Sequence, residues 1–124
     1  MTALPKKRER PKSGILRAPR REWPRHRRFV RSHACVVTLG KSDDHCDGPI
    51  QCCHFRTSAN AGKGLKPADW DSFPGCFRHH AEQHAIGQPA FERKYGLDLA
   101  AICAELARQS PDAAMREAMR EAAP

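Results

Sequence analysis

The stretch Pro74–His84, PGCFRHHAEQH, constrains this chain more than any other. Cys76 and His79 stand in a C-x-x-H spacing, His80 follows directly, and His84 lies four residues beyond His80. Residues four apart share one face of a helix, so His80 and His84 aim at a single point as a metal pincer. Cys76 and His79 fall at the turn entering that helix. There a knuckle presents them to a separate tetrahedral zinc, with cysteines from earlier in the chain. One short segment therefore offers part of each of two metal sites.

Metal ligation suits the composition. Of 124 residues, 40% are hydrophobic and 29% charged, and the mean hydropathy is -0.71, so burial alone stabilises the chain weakly and a metal staple supplements it. Six cysteines in a short chain fit disulfides only in a secretory context. The start is a polybasic run with no apolar signal region, which favours metal ligation in a reducing cytoplasm. No run approaches the roughly 20 apolar residues of a transmembrane helix, so a membrane partner is not expected.

The net charge of +8 is unevenly spread. Residues 1–31 carry twelve Lys and Arg against Glu9 and Glu22, a net of +10, which leaves -2 for the remainder. Such an arm neutralises phosphates and releases counterions, making nucleic acid the expected partner; a solubilising tail is the alternative. Prolines at 5, 11, 19 and 24 argue against regular structure. Residues 1–30 thus read as a flexible basic arm, with Arg25, Arg27 and Arg28 as DNA contacts. A short helical turn around Arg25–His33 leads into the domain, with His26 and His33 on the surface. Trp23 and Phe29, set among arginines, can stack on bases or anchor the arm.

Residues 31–109 read as one small α+β domain, a two-stranded hairpin packed on helices and pinned by zinc. Cys35–Leu39 is apolar and β-branched, which predicts a strand; Gly40–Asp44 is a turn-rich insertion, and Ile50–Arg56 returns as the second strand. Thr57–Asp71 is loop chemistry, and its GKGLK run places Lys63 and Lys66 for close approach to a phosphate backbone. Helices are predicted over Phe77–Ile86, stopped by Gly87 in the αL region, and over Gln88–Tyr95, stopped by Gly96. Leu99, Ile102, Cys103 and Leu106 recur at helical spacing, which makes Cys103 a core residue. Ser110-Pro111-Asp112 caps a last amphipathic helix within residues 110–124.

The first predicted site joins Cys35, Cys46, Cys76 and His79 around a structural zinc, with Cys52 or His45 as substitutes for Cys46. Its half from Cys35 to Cys46 is longer than the usual two to four intervening residues, so the insertion must fold back. A second site joins His54 on the hairpin to His80 and His84. There an unligated histidine near neutrality is the natural base to draw a proton from water, and His54 is the candidate.

Cys53-His54, Asp71, and His80 with His84, set in AGKGLKPADWDSFPGCFRHHAEQHAIG, resemble the HNH (ββα-metal) endonucleases. The wording resembles specifically the small phage and prophage nucleases related to the recombination-enhancement nuclease. The resemblance spans roughly Arg31 to Leu106. It implies a ββα-metal domain in which His54 is the general base, His80 and His84 hold a catalytic Mg2+, Mn2+ or Zn2+, and Asp71 stands where the family usually has Asn. Cys53 occupies a position that is often an Asp or His metal ligand. A thiolate there favours zinc over magnesium, or the position does not ligate. The implied activity is metal-assisted hydrolysis of DNA phosphodiester bonds, with Arg56, Lys63 and Lys66 on the backbone and low sequence specificity. The implied setting is phage DNA recombination or processing in a bacterial cytoplasm, with a recombinase filament as a possible partner. A non-catalytic zinc-stapled DNA-binding module, or an adaptor docking through its C-terminal helix, is the rival reading.

Overall fold

A computed structural model describes residues 22–57 and 67–122. The element order is α1 (Pro24–Arg31), α2 (Val36–Leu39), β1 (Ile50–His54), β2 (Ser72–Cys76), α3 (Phe77–Ile86), α4 (Gln88–Tyr95), α5 (Leu99–Gln109) and α6 (Ala113–Ala122). The class is small α+β, with one two-stranded antiparallel hairpin among several helices. Most of the expected basic arm, residues 1–21, and the loop run holding Lys63 and Lys66 lie outside the described residues.

The hairpin is not the one expected from sequence. β1 pairs with Ser72–Cys76, with Ile50 opposite Cys76, Cys52 opposite Pro74 and His54 opposite Ser72. Cys35–Leu39 instead closes a single helical turn, in which Leu39 N–H donates to the Cys35 carbonyl at 2.9 Å. A short run of apolar residues fits a buried turn as well as a strand, and Val36 and Val37 are both fully buried. Pro74 hid β2 from view, because proline cannot donate to a ladder; in a two-stranded sheet both strands are edges, where proline is tolerated.

The basic segment is also more folded than expected, since α1 begins at Pro24 and packs on both strands. Proline at the first helical position loses no hydrogen bond there. His26 and Val30 face inward and are fully buried, which corrects the surface position expected for His26. Its Nδ1 lies 2.8 Å from Ser110 Oγ, so α1 and the start of the C-terminal segment meet at this ring.

Phe73, Phe91, Leu99, Val36, Val37 and Cys103 form the core, with Cys103 buried as the helical spacing predicts. The helices that position the site have the predicted bounds. Cys76 ends β2 and caps α3, its sulfur accepting the His79 amide at 3.4 Å. Gly87 separates α3 from α4 with φ +85 and ψ 154, outside the predicted αL region but still a conformation that L side chains rarely adopt. Asp98 caps α5 by accepting from Ala101 N–H at 3.1 Å, and Asp112 accepts from Met115 N–H at 3.0 Å ahead of α6. Among the described residues no helix is long and apolar enough to cross a membrane.

Candidate metal centres and the histidine cleft

Cys35, Cys46, Cys76 and His79 converge, with their ligand atoms all within 4.8 Å of one another. Nδ1 of His79 lies 3.1 Å from the Cys76 sulfur, 3.4 Å from that of Cys35 and 3.6 Å from that of Cys46. Three elements supply the ligands: Cys35 stands at the N-cap of α2, Cys76 and His79 sit at the β2–α3 junction, and Cys46 arrives on the folded-back insertion. Neither Cys52 nor His45 belongs to this group, so Cys46 fills the fourth position. Three soft sulfurs and an imidazole, all but Cys46 buried, suit a tetrahedral structural ion.

The second nitrogen of His79 is also occupied. Nε2 lies 2.7 Å from Asp44 Oδ2, an oxygen that accepts from Arg78 at 2.6 Å and from the Tyr95 hydroxyl at 3.0 Å. Arg78 first, then His79 and Tyr95, hold the Asp44 carboxyl well below the usual carboxylate range. An ionised Asp44 fixes the proton on Nε2 and leaves Nδ1 free to ligate. Burial pushes the Cys35 thiol up to about 11. Burial also opposes ionisation of Cys76, yet the amides of His79 and Asp47 outweigh it and lower this thiol to about 7. A cation binding here displaces the remaining thiol protons. Asp44 was hidden in sequence within a run that reads as turn chemistry.

On α3, His80 and His84 form a pair. Their Nε2 atoms are 3.1 Å apart, a spacing open to one ion at about 2.0–2.1 Å from each nitrogen. His80 Nδ1–H donates to Gln51 Oε1 at 2.6 Å, which turns the Nε2 lone pair toward His84. Burial, then the neighbouring His84 and His54, lower the His80 pKa and favour its neutral, ligating form.

His54 closes β1 and borders a cleft of about 290 Å³ shared with His84 and Arg56. Its Nε2 lies 2.9 Å from Asp69 Oδ1. Asp71, the position expected to support the base, contributes its backbone carbonyl to Phe55 N–H at 2.7 Å; the carboxylate on the ring is that of Asp69. The KP-x-D run ends on Asp69, two residues before Asp71, so the sequence itself carries this signal. Burial opposes ionisation of Asp69, but His54, the Trp23 amide and Arg27 outweigh it and lower its pKa. In the neutral ring the nitrogen facing this carboxylate is the one that carries the proton, which puts the lone pair on Nδ1.

Gln88 fixes the far edge of the cleft. Its Oε1 accepts from Arg56 N–H at 2.6 Å and its Nε2 donates to the Arg56 carbonyl, in the manner of an added strand. Cys53 does not join the histidine pair: among the described residues the four-ligand cluster above is the one group of three or more such ligands. Its sulfur packs beneath Gly75, where an added Cβ would come within 2.7 Å of it, and burial pushes its thiol well above the usual range. Arg25 and Arg28 are exposed on α1, whereas Arg27 lies 3.5 Å from Asp69. No protein-family model, curated protein or solved structure matches this chain.

Proposed function

We propose that this protein is a metal-dependent endonuclease of the HNH (ββα-metal) type, hydrolysing DNA phosphodiester bonds with low sequence specificity. A structural zinc on Cys35, Cys46, Cys76 and His79 pins the hairpin to α3. One observation carries the reading: β1, β2 and α3 follow in order, His54 ends β1, and α3 presents two imidazoles whose Nε2 atoms lie 3.1 Å apart.

His80 and His84 would hold a divalent ion, which when bound would supply Lewis-acid stabilisation of charge on the phosphate. Asp69 holds the His54 ring so that Nδ1 receives a proton from water. Arg56 borders the same cleft and, with Arg25, Arg28, Lys63 and Lys66, holds the sugar-phosphate backbone through charge. Contacts of this kind carry little sequence information and weaken steeply with salt. Processing of phage DNA during recombination, alone or with a recombinase filament, is the setting that the resemblance suggests.

The test is nicking of circular duplex and circular single-stranded DNA by wild type and His54→Ala, with Mg2+, Mn2+, Zn2+ or no added metal. The proposal expects metal-dependent cleavage that His54→Ala abolishes while DNA binding persists. Tight, salt-sensitive binding without cleavage under any metal would instead identify a zinc-stapled DNA-binding module.

A further inference from the structure

His54 is held by Asp69, and Asp69 is held from the root of the basic arm. Oδ1 of Asp69 takes the His54 ring at 2.9 Å, while Oδ2 accepts the Trp23 amide at 2.6 Å and lies 3.5 Å from Arg27 Nη1. The Asp69 side chain is only 4% exposed. A carboxylate so buried stays ionised when both oxygens find donors. Trp23 stands at the N-cap of α1 and Arg27 lies four residues on, so one turn of this helix brings the amide and the guanidinium charge to the same oxygen. Arg25 and Arg28, its neighbours in sequence, are exposed and have no such ion pair among the described residues.

We propose that Arg27, with the Trp23 amide, is a positioning group that orients the His54 base through Asp69, and is not a contact to DNA. The proposal rests on the nuclease reading of His54. It makes the seating of α1 a condition for an oriented base, so the segment that follows the basic arm serves the chemistry directly.

Steady-state cleavage of circular DNA and binding across a salt series separate the two roles. Arg27→Gln is expected to lower kcat roughly two- to fivefold, the effect of one partly exposed ion pair, with KM and the salt dependence of binding unchanged. Arg28→Gln is expected to do the reverse, raising KM and reducing the salt slope by about 1. Arg27→Lys, which keeps the charge with less reach, falls between wild type and Arg27→Gln, and it serves if Arg27→Gln does not fold. In an Asp69→Asn background Arg27→Gln is expected to cost nothing further.

The 15N spectrum of His54 supplies a reading without substrate: Nε2 protonated and Nδ1 bearing the lone pair in wild type, mixed tautomers in Arg27→Gln. This spectrum in a protein that cleaves no DNA would retain the Arg27–Asp69–His54 chain and reject the nuclease. An Arg27→Gln protein that raises KM and flattens the salt slope, with kcat and the ring signature unchanged, would overturn the proposal.

Discussion

Asp44 Oδ2 lies 2.7 Å from Nε2 of His79, while Nδ1 of the same ring faces the sulfurs of Cys35, Cys46 and Cys76. The carboxylate thus sets the tautomer that the cluster requires, and Arg78 and Tyr95 set the carboxylate. Asp44→Ala is predicted to weaken zinc binding about 10- to 100-fold without removing a ligand, as measured by competition with a chromophoric chelator. Unchanged affinity would mean that His79 is oriented by packing alone.

Cys46 and Cys52 separate more sharply. Cys46→Ser removes a ligand and is predicted to lose more than the about 100-fold that an outer partner costs, with a clear fall in Tm. Cys52→Ser lies outside the cluster and is predicted to keep one zinc per chain. Metal content after gel filtration, beside thermal melting, distinguishes the two.

Asp69 and Asp71 give a similar contrast at the base. Asp69→Asn leaves the ring without its charged partner and is predicted to lower kcat roughly 10- to 100-fold, part of the ~10²–10⁴ that a positioned base contributes. Asp71→Asn, which keeps the backbone carbonyl that accepts from Phe55 N–H, is predicted to lower it far less. Equal losses in the two variants would return the supporting role to Asp71.

His26 makes stability depend on pH. Burial lowers its pKa below the ordinary 6.5, against the opposing charges of Asp69 and Asp112, and Nε2 has no hydrogen-bond partner among the described residues. The unfolded chain therefore takes up a proton more readily than the folded one. The stability this residue contributes is complete above 6.5 and lost as pH falls from there through the lowered folded value. The Tm of wild type is predicted to fall more steeply than that of His26→Asn as pH drops from about 7 to about 5. Parallel curves would contradict this.

Much of the site was legible because ligand spacing is local. C-x-x-H with H-x-x-x-H on one helix needs no knowledge of the rest of the fold, and Gly87, Pro89 and Gly96 punctuate α3 and α4 plainly. What escaped was set by distant partners. Val36 and Val37 are buried in either a strand or a turn, so their burial carries no pairing information. β2 contains Pro74, which argues against a strand until the sheet is known to have two edges. The burial of His26 depends on Ser110, 84 residues away, and the choice of Asp69 over Asp71 depends on which carboxylate reaches a ring on β1.

The most direct test of two separate centres, one holding the fold and one serving hydrolysis, is DNA nicking against added Mn2+ by zinc-loaded wild type and His80→Ala/His84→Ala, with zinc content measured in the same samples. The account predicts saturable, Mn2+-dependent nicking by wild type and none by the double variant, with one zinc retained in both. Nicking by the variant at the wild-type rate, or none by wild type at any Mn2+ concentration, would contradict it.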